Sequence, residues 1–505
     1  MTMNSGQMVY TIDDIYIHMA ISRNLNEFSV FGVTRHEFSS SSSSPLWNLI
    51  ICAGFALVGV NDMVPLALNV LLSTAAVVTM YAILRNLDMS ERYITAVLVS
   101  FVFFTSLPGL VFTGMEHILH TVFSLVFIVL STRIITEQES NVQQLTLFMV
   151  VTFFVSAARI ESMFLVIPVA ILFLVKRRWG FAIAVLGMAA LPWAVYGIVS
   201  MLNGWLPLPN SLVVKGADAI AQGLVWFLVR GIGSLIVSPH LLVLLMASIK
   251  LTAEQAQEPW TTGTVMKWVF ISACILHLQL GKIGWFFRYE AYLVALGILT
   301  LSIQGHRFFS KLTLDSLRAP QIDLGGNKNR LYGLALIVLF VTPLAARGAL
   351  WMYWTPIAST NIHDQHYEMA RFLDEFYYGE AVMLNDIGYA NYLTDIVCVD
   401  KWGLATLDIG ESLLNGSMSA DTLRSIASEH GVKIAAIYLD GFIPEEWEPV
   451  GHWTIRNNVV AYNSTISFLV VMPSERDRLI SSLQLFSPSL PDDVIESGTY
   501  TEMTS

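Results

Sequence analysis

Between residues 46 and 351 the chain is a succession of apolar runs, near 46–60, 64–84, 93–111, 117–135, 144–157, 161–175, 180–202, 224–248, 265–280, 289–304 and 331–351. A helix of about 17 to 25 apolar residues spans a bilayer, because its own hydrogen bonds satisfy the backbone that lipid cannot. Several of these runs are short, so nine to eleven crossings are expected. Composition agrees: 54% of residues are hydrophobic and 13% charged, against roughly 25% charge in a soluble domain. The expected fold is a mainly α, polytopic helical bundle in a membrane.

Charge divides the chain at Trp351. After it stand about 22 acids and 7 basic residues, and before it about 17 and 21, so the formal −11 splits into roughly −15 and +4. The acidic tail is long enough to fold alone, and its charge argues against nucleic acid as a partner. "EAVMLNDIGYANYL", "KIAAIYLDGF" and "HWTIRNNVVAYNSTISFLVV" read as strands and "TLRSIASEHG" as a helix, which makes a soluble α/β domain. The expected division is a head at 1–44, a helical body at 45–351, the α/β domain at 352–485 and a disordered end at 486–505. Cys52, Cys274 and Cys398 suggest neither a disulfide nor a metal site.

Orientation comes from basic loops. "KRRW" at 176–179 and the loop 306–330, with Arg307, Lys311, Arg318, Lys328 and Arg330, mark the cytoplasmic side. Counting outward from them places the tail and the loops at 204–216, 281–292, 158–162 and 113–117 outside. The same count puts Asp13 inside, unless 46–60 is a partial or interfacial element or 144–175 is one broken crossing. Met1–Tyr10 is polar, with neither signal peptide nor span.

Ionisable groups at membrane depth are costly and are functional candidates by default. Here they collect on one face. "TIDDIYIHMA" carries adjacent Asp13 and Asp14: like charge raises one pKa and makes that carboxylate a better base, while either aspartate could equally cap the helix that follows.

The stretch "YTIDDIYIHMAISRNL … FSSSSSSPLWNLI" resembles the first extracytoplasmic loop of glycosyltransferase-C (GT-C) enzymes, in particular the branch related to the actinobacterial terminal arabinofuranosyltransferases. In chain order, "TGMEH" resembles that branch's S-G-L/M-E, "ARIES" its R-P-E, "LPNSLVVK" its L-P-N-T-x-x-x-K and "FFRYEAYL" its R-Y-E-x-Y. "LNDIGYANYLTDIVCVDKWGLAT" resembles the signature that opens its soluble domain. The resemblance covers about residues 8 to 410. Ile15 and Ile160 depart from it, standing where the family usually has alanine and proline. A membrane helix should also precede the first loop, so the expectation is either a chain start downstream of the natural one or a head translocated as a tail.

The resemblance implies inverting transfer of a sugar from a polyprenyl-phosphate carrier to an extracytoplasmic glycan, glycolipid or protein in cell-envelope synthesis, by a multi-pass protein of the inner (plasma) membrane. One aspartate of the pair would be the base, with a slight preference for Asp13, leaving Asp14 to orient the acceptor or cap the helix. Arg159, Lys215 and Arg288 would neutralise the departing phosphate. Arg159 could instead pair with Glu161, and Arg288 with Glu290. Glu116, Glu161, Asn210, Tyr289, Glu290, Tyr292 and Asp386 are the substrate-binding candidates. The acids could also hold Mg²⁺ or Ca²⁺, though no dense ligand spacing supports a metal. His18 and His117 read as neutral polar residues. Two other readings fit the charged face: a transporter or flippase, whose charges would sit mid-span, and a non-catalytic envelope-assembly protein.

Overall fold

The structure is a computed structural model that describes residues 4, 6–137, 140–213, 223–254, 260–309 and 328–502. Lys215 lies outside them, as does most of the basic loop 306–330. The head is not an open loop. Helix α1 (Asp14–Phe28) buries Ile15, Tyr16, Met19, Ala20 and Ile21 against α2 (Pro45–Val58) and the C-terminal domain. The serine run between them is buried because small hydroxyls satisfy a tight turn: Ser44 caps α2 at the Trp47 N–H, Ser40 bonds the Tyr196 hydroxyl at 2.8 Å, and Ser39 accepts from the Val33 N–H at 3.0 Å.

The body continues as α3 (Met63–Arg85), α4 (Glu91–Phe104), α5 (Leu107–Val111), α6 (His117–Thr136), α7 (Val142–Ala158), α8 (Met163–Val175) and α9 (Trp179–Leu202). After them come α10 (Gly223–Val237), α11 (Pro239–Glu254), α12 (Thr262–Leu280), α13 (Ala291–Phe309) and α14 (Lys328–Ile362). Helix α6 is central, packed on α3, α7 and α13, and 67% of its apolar window is buried against 17% for α3. The outward faces carry Leu57, Leu71, Ile183, Leu202 and Ile236 in the open, an apolar surface that lipid covers without cost and water does not.

Among the described residues, α3, α6, α9 and α12 are each long and apolar enough to cross a membrane. The run 224–248, expected as one span, is instead a pair bent by 101° at Ser238, where Pro239 cannot donate the hydrogen bond that would continue α10. The run 93–111 likewise breaks, at Thr105–Ser106. Helix α2, with 14 residues, is about 21 Å long, short of the roughly 30 Å hydrocarbon core.

The expected boundary at Trp351 falls inside α14, and helix persists through a π-turn at His363–Tyr367 into α15 (Glu368–Phe376). The domain beyond is a six-stranded sheet of order β2-β1-β3-β5-β4-β6: β1 (Ala381–Leu384), β2 (Val397–Asp400), β3 (Ile434–Ile437), β4 (Glu448–Thr454), β5 (Thr465–Val470) and β6 (Ile495–Ser497). Strand β1 runs parallel to both its neighbours, and the remaining pairs are antiparallel. The end expected to be disordered is ordered to Glu502. Strand β6 covers the free edge of β4, and Tyr500 is buried with its hydroxyl accepting from Trp453 Nε1 at 3.0 Å. One anchoring aromatic and an edge in need of a partner outweigh the polar composition.

Candidate active site

The starts of α1, α6 and α13 and the ends of α7 and α12 meet on one side of the body. The loops there enclose a cavity of about 170 Å³. Asp14, Met115, Arg159, Glu161, Arg288 and Tyr289 line it, so four of the six stretches of the resemblance reach the same space; Ser211 and Leu212 bring in a fifth from the 204–216 loop, and Leu404 brings in the sixth.

The two aspartates part company. Asp13 holds the N-cap position of α1 but makes no cap hydrogen bond; it turns to the sheet domain, accepting from the N–H of Gly388 (2.8 Å) and of Tyr389 (2.9 Å). Asp14, one residue on, faces the cavity and pairs with Arg288. Asp13, the residue preferred from the sequence as the base, is thus the one spent on tethering, while its neighbour Asp14 is presented to the cavity.

The cations also sort. Arg159 is matched by Glu161, through Nη2 at 2.6 Å and Nε at 3.2 Å, and by Glu116. Its charge is spoken for, which realises the pairing with Glu161 that the sequence left open. Arg288 does not pair with Glu290. It gives Nη2 to Asp14 and, at 3.0 Å, to the Tyr289 hydroxyl, while Nε and Nη1 are buried with no partner among the described residues. Buried guanidinium N–H groups without acceptors cost on the order of 1–3 kcal/mol or more, so they fit an anion. The Tyr289 ring lies 4.9 Å from Arg288 and 5.5 Å from Arg159, touching both cations.

Four other candidates lie behind the cavity wall. Glu290 faces His240 at 3.4 Å and accepts from the Gly284 N–H; Tyr292 bonds His277 Nδ1 at 3.2 Å. Asn210 ties the 204–216 loop to the sheet domain through Gly403 O at 3.0 Å. Asp386 accepts from the Tyr438 hydroxyl at the C-terminal end of β1.

Sequence reasoning passed over Arg230 and Lys282, and read His117 as a neutral polar residue. All three line the cavity, and both ring nitrogens of His117 are buried without a hydrogen-bond partner among the described residues. Arg230 had a readable signal, since a lone arginine inside an apolar run is itself a functional flag. His366, from the π-turn, was also missed. Its Nδ1 lies 3.2 Å from Asp13 and its Nε2 3.5 Å from Asp386. Burial alone would lower its pKa, but Asp386 and Asp13 outweigh burial and hold it above the ordinary histidine value. Burial raises Asp386, with Asp13 and Asp14 adding to the shift.

Among the described residues, the acids at the cavity are already matched by cations: Asp14 and Glu161 each face an arginine. Among the same residues no three acid, histidine or cysteine side chains gather as metal ligands.

A family model described as a domain of unknown function (DUF8728) matches residues 360–469. No curated protein matches the chain. Among solved structures the fold is similar to that of ArnT from Cupriavidus metallidurans bound to undecaprenyl phosphate, with 12% identity, a TM-score of 0.50 and coverage of 94% of this chain and 96% of that one. An oligosaccharyltransferase from Archaeoglobus fulgidus, in complex with zinc and sulfate, aligns at 9% identity and a TM-score of 0.47 over 90% of this chain and 70% of that one. The likeness to ArnT is one of fold: a mostly helical GT-C-type body with a small C-terminal sheet domain.

Proposed function

We propose that this chain is an inverting glycosyltransferase that takes a sugar from a polyprenyl-phosphate carrier and delivers it to a hydroxyl of an extracytoplasmic glycan or glycolipid. The observation that carries the reading is the pairing, in one cavity, of the carboxylate of Asp14 with a guanidinium that has two N–H groups to spare. A phosphate can take Nε and Nη1 of Arg288 while Nη2 keeps Asp14 oriented. Lys282 and Arg230 line the same space and add positive charge. The fold shared with ArnT, bound to undecaprenyl phosphate in its structure, supports the donor class.

In the step itself, Asp14 takes the proton of the acceptor hydroxyl as that oxygen forms a bond to the anomeric carbon. The bond from that carbon to the phosphate oxygen breaks, and the polyprenyl phosphate leaves with the electron pair, its charge met by Arg288. Arg159, held by Glu116 and Glu161, positions Tyr289 and shapes the wall. An arabinofuranosyl donor is the finer form of the proposal, resting on the motif resemblance alone.

The test is transfer in proteoliposomes from a panel of polyprenyl-phosphate pentoses and hexoses to envelope glycans, with the product anomer read by NMR. Wild type should transfer at least one sugar with inversion. Asp14→Asn should fall by about 10²–10⁴-fold while still binding undecaprenyl phosphate. Undiminished transfer by Asp14→Asn would remove the base assignment, and retention of configuration would remove the mechanism.

A further inference from the structure

The parallel strands of the sheet domain end together beside the donor cavity. Strand β1 runs out at Asn385 and Asp386, β2 at Lys401 and Trp402, and β3 at Tyr438. Leu404, two residues past Trp402, lines the cavity, and His366 stands between Asp386 and Asp13. In the order β2-β1-β3 the chain leaves β1 toward one side and returns on the other. In an open sheet, the crevice at the carboxyl ends of two such strands is where ligands are held. Here the crevice is braced from both sides. The Tyr438 hydroxyl donates to Asp386 Oδ2, and Lys401 gives its Nζ protons to the carbonyls of Tyr438 and Asp440 and, at 2.6 Å, to Asp440 Oδ1.

Aromatic rings crown this rim. Tyr462 is 58% exposed, with its ring 5.6 Å from the half-buried Trp402 indole and 5.7 Å from Tyr438. The Trp402 indole N–H, the Tyr462 hydroxyl and Asp386 Oδ1 have no hydrogen-bond partner among the described residues, and none of the three is enclosed. The nearby charges are matched, Lys401 by Asp440 and Asp386 by His366. An anion would meet a carboxylate and no spare cation, and a hydrocarbon chain would leave the open polar groups unpaired. A sugar satisfies both conditions, because its C–H face covers an aromatic ring while its hydroxyls donate to a carboxylate oxygen and accept from an indole N–H. We infer that Trp402, Tyr462 and Asp386 form a saccharide-binding subsite at the carboxyl end of the sheet, which seats one ring of the acceptor glycan beside the donor cavity.

As a seat for the acceptor the subsite rests on the transferase reading; as a saccharide site it is tested with no donor present. The purified full-length chain in nanodiscs is applied to a microarray of bacterial envelope oligosaccharides, and affinity for each one retained is measured by interferometry. Wild type should retain at least one. Tyr462→Ala, at an exposed position whose side chain makes no hydrogen bond in the fold, should weaken that binding by about tenfold with the melting temperature unchanged, and Trp402→Ala should do the same. Tyr462→Phe keeps the ring and should stay within about threefold. In the transfer assay the alanine variants should raise the KM for the acceptor and leave that for the lipid-linked donor unchanged. Retention of no oligosaccharide by wild type, or equal affinity in wild type and Tyr462→Ala, would overturn the inference. Binding lost in Tyr462→Ala by a chain that transfers no sugar would uphold the subsite and remove the transferase reading instead.

Discussion

At the scale of single residues, the start of α1 separates two carboxylates that differ by one position and sends them to different tasks. Substituting both with asparagine should show this. Asp14→Asn loses transfer, whereas Asp13→Asn loses charge-assisted hydrogen bonds from two backbone N–H groups. The latter costs about 1.5–3 kcal/mol of stability and leaves measurable transfer; differential scanning fluorimetry beside a turnover assay reads both. Arg288→Lys keeps the charge but removes the fork, so affinity for undecaprenyl phosphate should fall by about 10- to 100-fold, as expected for lost hydrogen bonds to a charged group. Titration calorimetry measures that loss, and unchanged affinity would place the phosphate elsewhere. The sequence marked Asp13, Asp14 and Arg288 as functional because charge beside apolar runs is unusual. It could not say which aspartate faces the cavity: that depends on where Gly388, 375 positions away from Asp13 in the chain, presents its N–H. Nor could it tell Arg159, matched by two acids, from Arg288, matched by one.

At the scale of elements, two short segments set the site, and neither has a sequence signature. The first is Trp285–Phe287, three consecutive non-glycine residues at φ 41°, 65° and 51°, a conformation worth on the order of 1–3 kcal/mol of strain per residue. It persists because Arg347 donates to Phe287 O at 2.5 Å and to Phe104 O, and Trp351 packs on Phe286. Arg347→Met should let the turn relax and lower turnover although residue 347 does not line the cavity; normal turnover would mean that the turn holds itself. The second is the π-turn, which sets His366 between Asp13 and Asp386, with Gln365 Oε1 at 3.1 Å from Nε2. Its pKa is raised in the fold, so the stability it contributes is complete below about pH 6.5 and is lost as pH rises through the higher folded value. Asp386 is also raised, so it loses stability in the same direction, in a window that opens near pH 4. Thermal stability should therefore fall from mildly acid to alkaline pH, and His366→Gln should flatten the upper step. Apolar runs told the helices from the loops well, because period and length carry that information. They could not show the bend at Ser238, the left-handed turn or the π-turn, which tertiary contacts impose.

At the scale of the molecule, the sheet domain is fastened to the head rather than hung from the end of α14. Arg23 donates to Tyr392 O at 2.6 Å and Asn391 O at 3.2 Å, Tyr392 donates to Asp62 at 2.6 Å, and Asn210 reaches Gly403 O. With the two N–H groups on Asp13, these bonds draw together segments near residues 13, 62, 210 and 390. The helical body and the sheet domain were each legible from composition; their docking was not, since it rests on backbone groups that any sequence possesses. Gly388 is the sharpest probe of it. A Cβ there would stand 2.3 Å from Asp13 O and 2.5 Å from Asp13 Oδ2, and its backbone is helical, so alanine is refused only by the head. Gly388→Ala should push the domain off Asp13, expose the 362–380 connection to limited proteolysis and lower transfer by about tenfold or more. Arg288, Arg230 and Lys282 stay in the body, so affinity for undecaprenyl phosphate should hold within about a factor of three. Loss of transfer together with loss of lipid-phosphate binding would mean instead that the domain shapes the donor cavity. Retention of both would mean that docking serves stability alone, with the acceptor approaching without the domain's help.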